Sequence, residues 1–183
     1  DGLPFFLVET QYENEHGVTE AFLRAQAYGA ILSGATGEVF GNNPIWHFDG
    51  PGLYDAPGTW EQQLDSAGSR SMAVLHTVMA TVPWWLLEPD TSHRLVTGGS
   101  GSSGAVAAEA SGARVAVAYL PDGGEVTVDP SAVLGTGGRG RASWVDPRNG
   151  SVTDVLLGAG TAALTPPGGR GAGHDWLLVV RAA

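Results

Sequence analysis

The hydrophobic pattern changes character near residue 98. Before that point apolar residues come as a continuous run or at intervals of three and four. After it they alternate with polar ones. "FFLV" at 5–8 is the continuous kind, the signature of a strand buried on both faces in a parallel sheet. The polar stretch 9–17 follows, and Phe22, Ala25, Gly29 and Leu32 then mark one face of a helix. "GATGEVFG" at 34–41 reads as a short strand between glycine breaks. Thr59-x-x-Gln62 has the spacing of a capping box and opens a further helix. Met72, Leu75, Met79 and Val82 carry that helix on to Pro83, with Gly68 expected to split it in two. Strand, helix, strand, helix is half of an α/β unit.

"TGGSGSSG" at 97–104 predicts a flexible link, and the rest follows a period of two. Val115, Val117 and Tyr119 share one face of "RVAVAYL". "EVTV", "ASWV", "SVTDVL" and "DWLLVV" continue the pattern, separated by Gly, Pro and Asp turns. Short strands at near-regular spacing predict an antiparallel β-sandwich. The expected division is 1–97 for the α/β part, 98–104 for the link and 105–183 for the sandwich.

Composition narrows the chemistry. The 183 residues are 43% hydrophobic and 15% charged, enough apolar content for a packed core. The net charge is −10 and every basic residue is arginine. Nucleic acid and anionic membrane surfaces both require a positive patch, so neither is expected as a partner. Without lysine there is no Schiff-base chemistry, and without cysteine no disulfide, thiolate or zinc–thiolate site. No metal and no cofactor is expected. "GSGSSG" and "GTGGRG" match G-x-G-x-x-G but do not stand between a strand and a helix, so they read as turns. Neither G-x-S-x-G nor H-E-x-x-H occurs.

The candidate chemistry lies in "ETQYENEHG", directly after the first strand. In parallel α/β folds the loops at the C-terminal strand ends carry the reacting groups. Glu9 sits where the apolar run stops, with Glu13 and Glu15 in the loop beyond it. Glycosidic hydrolysis needs two carboxyl groups flanking the sugar, one protonated and one ionised. Tyr12, Phe40, Trp46, Phe48, Tyr54 and Trp60 crowd the same loops, beside Asn42 and Asn43. Flat rings and amides suit the apolar faces and hydroxyls of sugars. Trp46 is the ring expected to line a site, whereas Phe40 and Trp60 fit a core. His16 is the one histidine adjacent to the acids. "WWLLEPD" at 84–90 is apolar enough to dock the two halves together.

Several of these segments together resemble a known family. "FFLVETQYENEHG", "RAQAYGAILSGATGEVFGNNPIW", "WEQQLDSAGSRSM" and "LLEPD" are similar to the last part of apiosidase-like (β/α)₈-barrel glycoside hydrolases. "VAYLPDGGEVTVD", "ASWVDPRNG" and "HDWLLVV" resemble the β-sandwich that follows such barrels, a module labelled a collagen-binding domain of a collagenase. The resemblance implies the C-terminal fragment of a TIM barrel followed by an antiparallel β-sandwich. The first strand is then the seventh stave and "GEVF" the eighth, with the remaining staves supplied by an N-terminal segment of the same polypeptide. It also implies a retaining hydrolase acting on a polysaccharide or oligosaccharide, with Glu9 as nucleophile and the acid/base outside this segment. Glu13 matches a second acid of the family pattern. Tyr12, His16, Glu38, Asn42, Asn43 and Trp46 become candidate substrate contacts; at Glu38, in "GEVFG", relatives often carry the histidine of "GHTYG". By the same resemblance the parent is secreted, periplasmic or at the cell surface, and the fragment alone is inactive. The competing expectation is a non-catalytic protein that binds carbohydrate or matrix through the sandwich. Trp144 and Trp176 separate the two, as buried core rings or as an exposed platform.

Overall fold

Residues 5–7 run parallel to residues 36–39 in the computed structural model, which describes residues 3–158 and 160–183. Thr36 N–H donates to the Phe5 carbonyl at 2.8 Å, Leu7 to Gly37 at 3.1 Å and Val39 to Leu7 at 2.9 Å. A second parallel contact joins Glu13 to Asn42. The two expected staves thus run parallel to each other, joined by isolated bridges rather than by an extended ladder. Phe5, Phe6, Val8 and Val39 are exposed around them, which is what two-sided strands show where no further stave covers them.

Between the two staves runs helix α1, Glu20–Leu32, whose first turn is closed by Thr19 Oγ accepting from Phe22 N–H. Its buried face is Leu23, Arg24, Ala27, Tyr28 and Leu32. The apolar pattern predicts Phe22, Ala25 and Gly29 instead, and Phe22 is exposed. The discrepancy has a simple origin: the face that turns inward includes an arginine and a tyrosine, which apolar periodicity does not count. Helices α2, Trp60–Gln63, and α3, Ala67–Met79, follow, and the Thr59–Gln62 capping box forms as expected. The break between them falls before Ser66, the cap of α3, so Gly68 lies inside the first turn of α3. A Cβ on Gly68 would stand 2.5 Å from Glu13 Oε2 and 2.9 Å from Phe40 Cζ. Glycine is required there by close approach.

Nine strands follow among the described residues. β1 (Glu88–Pro89), β3 (Val106–Ala110), β4 (Val115–Leu120), β9 (Trp176–Ala182), β6 (Gly140–Val145) and β7 (Val152–Val155) form one antiparallel sheet in that spatial order. β2 (Val96–Gly98), β5 (Val126–Val128) and β8 (Ala162–Leu164) form the second. Two of these strands correct the expected division. β1 lies within 1–97 and β2 runs across its end, yet they pair with β3 and β5. Nor is 98–104 a free link: Gly101 N–H donates to the Glu125 carbonyl at 2.7 Å, and Gly99 and Gly101 pack on the backbone of residues 123–126. The glycines are there because two backbone segments touch.

Period two explains how the large sheet is used. Ala116, Ala118 and Leu120 of β4, with Trp176, Leu178 and Val180 of β9, face the small sheet. Val115, Val117 and Tyr119, with Leu177 and Val179, face the opposite way. There they pack against Tyr28 and Leu32 of α1 and Val78, Met79 and Val82 from α3 and its end. A fully buried Leu or Val contributes roughly 1.5–3 kcal/mol, so the two halves share a core. "WWLLEPD" docks only through its second part: Trp84, Trp85 and Leu86 are exposed, whereas Leu87 reaches that core and Glu88–Pro89 pairs with β3.

Candidate active site

The loop after the first stave folds back over its own C-terminal end and meets the long loop after the second. Glu9, Thr10, Gln11, Tyr12, Glu15 and His16 come from the former and Trp46, Leu53 and Tyr54 from the latter. Together they enclose a cavity of about 290 Å³. Glu9 stands just beyond the Leu7–Glu38 bridge, with its carboxylate exposed to this space. Tyr12 Oη donates to Glu9 Oε1 at 3.3 Å. Burial and the neighbouring Glu9 carboxylate push the Tyr12 phenol up, so it stays protonated and remains a donor. Trp46 Nε1–H donates to Glu15 Oε1 at 3.1 Å, and His16 meets the edge of Tyr54 with ring centroids 4.7 Å apart. The arrangement is a carboxylate at a strand end, held by a phenol, beside a half-exposed indole.

Four of the candidates named from sequence therefore share one cavity: Glu9, Tyr12, His16 and Trp46. The other four do not line it. Glu13 is buried and accepts from Asn42 Nδ2 at 2.7 Å, Ser66 Oγ at 2.6 Å and Gly68 N–H at 2.8 Å. Its carboxylate is thus bound to the N-terminal turn of α3, where an anion is favoured, and is turned away from the cavity. Asn42 is taken up by that same bond. Asn43 is buried too, donating to the Tyr54 and Asp55 carbonyls and sharing a 2.8 Å hydrogen bond with His47 Nε2. It shapes the long loop from beneath. Glu38 lies on the opposite side of its stave, beside Leu23 and Gln26 of α1, and burial raises its pKa. In a parallel strand alternate residues face the helices, and Glu38 is one of them.

Glu15 and Tyr54 sit in loops the sequence marks as chemical, but nothing in the spacing separates them from Glu13 and Asn43. Leu53 carries no sequence signal. Among the described residues no group of three or more His, Asp or Glu stands close enough to hold a metal ion.

A chain in which the last two staves of a parallel barrel present a carboxylate to an aromatic-lined cavity, backed by a β-sandwich, has the make-up of a barrel glycosidase. Comparison with known proteins agrees. Residues 3–86 match the family described as "Apiosidase-like, catalytic domain", and residues 89–181 match "Putative collagen-binding domain of a collagenase". The second match covers just over half of the sequence, and the chain belongs to that family, joined to the C-terminal part of an apiosidase-like domain. A solved structure described as a glycoside hydrolase superposes on 98% of the chain with a TM-score of 0.85 and 25% identity. A glycoside hydrolase family 5 structure from Bacteroides vulgatus superposes on 98% with a TM-score of 0.84 and 24% identity. The chain spans only 42% and 41% of those two proteins. No curated protein matches it. The fold is thus the C-terminal part of a (β/α)₈ barrel followed by a β-sandwich, and the chain is related to glycoside hydrolases.

Proposed function

We propose that this chain is the C-terminal part of a retaining glycoside hydrolase in which Glu9 is the nucleophile. The observation that carries the reading is the position of Glu9: at the C-terminal end of a parallel stave, open to the cavity, and hydrogen-bonded by Tyr12. Glu9 attacks the anomeric carbon as the bond to the leaving oxygen breaks. An acid from the rest of the barrel protonates that oxygen, then deprotonates the water that hydrolyses the glycosyl ester. The two carboxyl groups stand about 5–5.5 Å apart in this mechanism. Tyr12 donates to Glu9 and holds the carboxylate at the cavity wall. Trp46 offers a flat face to the sugar, with its indole N–H tied to Glu15. The substrate is a carbohydrate.

The sandwich is a structural partner of the barrel in this reading. Trp144 and Trp176 are 1% and 6% exposed and sit in the core between the sheets, so they form no sugar platform. Glu9→Gln in the full-length enzyme tests the assignment: turnover of glycoside is lost while the thermal midpoint is kept. An active, well-folded variant rules it out. The 183 residues alone, lacking the acid/base, show no turnover.

A further inference from the structure

Arg141 of β6 and Arg181 of β9 are direct cross-strand partners. Both point to the helix-side face, because their chain neighbours Ala142 and Val180 belong to the core between the sheets. Like charges placed opposite each other destabilise a strand pair. In this chain cations are scarce, nine against nineteen acids, so two in register call for a reason. Among the described residues neither guanidinium forms an ion pair.

Arg181 is half explained. It donates to the Thr81 carbonyl and to Thr81 Oγ1 at 3.2 and 2.9 Å, just past the C-terminal end of α3, where a cation is favoured. Both acceptors are neutral, and burial lowers the Arg181 pKa. Arg141, exposed and opposite, gains nothing from α3. The two line a recess of about 490 Å³ that also holds Ser143 and Asp154. Asp154 is the acidic side chain in this recess, which Ala182 and Ala183 also line. It accepts from Ser143 Oγ at 2.9 Å and stands on β7, one strand further from Arg181. A second recess, about 270 Å³, adjoins through Ser143 and Arg181 and is floored by Val145, Val152 and Val179.

The geometry points to an oxyanion site on the sandwich, in which Arg141 and Arg181 together receive a carboxylate of an acidic glycan whose ring lies over the valine floor. The guanidinium forks match a carboxylate in plane and charge. An anion between them also removes the cross-strand repulsion. The arginine pair selects the anion; the choice of a glycan as its carrier rests on the carbohydrate reading of the neighbouring half.

Titration calorimetry of this chain with an oligosaccharide of hexuronic acid, its neutral methyl ester, and acetate tests the site. The acid form binds, the ester binds at least about tenfold more weakly, and Arg141→Ala costs the acid form about tenfold or more, since a hydrogen bond to a charged group is worth roughly 1.5–3 kcal/mol. Arg141 is exposed and opposes a like charge, so its alanine variant melts no lower than the parent; Arg181→Lys, which retains a donor to Thr81, serves as the second variant and also weakens the acid form. Equal binding of acid and ester, or no effect of Arg141→Ala, overturns the proposal. Acetate matching the oligosaccharide in affinity also overturns it, by reducing the site to one for small anions. The assay reads binding without turnover, so its outcome is independent of the role of Glu9.

Discussion

Arg24 and Asp175 stand 151 residues apart in sequence and form a two-pronged ion pair, Nε to Oδ2 at 2.7 Å and Nη2 to Oδ1 at 2.8 Å, with 2% and 0% side-chain exposure. Arg24 is on α1, in the barrel half, and Asp175 directly precedes β9 of the sandwich. Ser71 Oγ of α3 accepts from Arg24 at 3.1 Å, and Tyr119 Oη of β4 donates to Asp175 Oδ2 at 2.9 Å. Tyr28 stacks on Tyr119 at 5.0 Å. Burial alone would lower the Arg24 pKa, but the hydrogen bonds and charge of Asp175 raise it, so the guanidinium stays charged. Removing one partner of a buried pair leaves an uncompensated charge and costs about 3–5 kcal/mol. Arg24→Ala and Asp175→Ala should each lower stability by that order in urea unfolding. Replacing both by apolar residues should cost less than the sum. The shared core predicts one cooperative transition for both halves; two separated transitions would show that the clamp does not couple them.

Gly68 and Glu13 give a second, local test. Gly68→Ala should improve helix propensity by up to about 1 kcal/mol. The added methyl would stand 2.5 Å from Glu13 Oε2, so the net effect should be destabilising by about 1–3 kcal/mol. A double-mutant cycle with Glu13→Ala should show non-additivity, because shortening Glu13 removes the closest part of the clash and leaves only the contact with Phe40 at 2.9 Å. Additive effects would mean that the two positions do not meet.

The Glu15–Trp46 bond bears on substrate binding. Trp46→Ala in the full-length enzyme should raise KM by about two- to tenfold if the ring stacks on a sugar, a contact worth about 0.5–1.5 kcal/mol. Glu15→Gln keeps an acceptor for the indole and should be nearly silent, whereas Glu15→Ala should approach the Trp46 effect. The comparison of KM and kcat across the three variants checks it. Equal effects of Glu15→Gln and Glu15→Ala would assign Glu15 a role through its charge.

Asp146 governs an acid-sensitive turn. Burial opposes its charge, but hydrogen bonds from the Arg148 guanidinium and backbone N–H outweigh it and hold its carboxyl below the usual carboxylate range. Its folded pKa is depressed, so the stabilisation is present above the unfolded pKa, about 3.9 for Asp, and fades as pH falls through the folded value. Asp146→Asn should therefore lower the melting temperature at pH 7 and bring the two curves together at acid pH. A difference that persisted unchanged at low pH would contradict the assignment.

The sequence made the strongest patterns readable. The two-faced run at 5–8, the alternation in β4 and β9 and the Thr59–Gln62 box all stand where the residues place them. What it hid has physical causes. β3 is "VAAEA", short of β-branched and aromatic residues, and it forms because β4 pairs along its whole length. β1 and β2 are too short to carry a period. The buried face of α1 escaped because it is built around Arg24 and Tyr28, whose partners lie on the other half of the chain. At the site, Glu9 was legible because an apolar run ends on it. Glu13 and Glu15 are two residues apart in one loop, and only the fold sends one under α3 and the other into the cavity.

The role of Glu9 is tested most directly by replacing it with glycine in the full-length enzyme and supplying azide with an activated glycoside. The small anion enters on the face the carboxylate left. Restored turnover that yields a glycosyl azide of inverted anomeric configuration is the predicted result. A glycosyl azide of retained configuration would make Glu9 the acid/base, and turnover unaffected by its removal would place the nucleophile elsewhere.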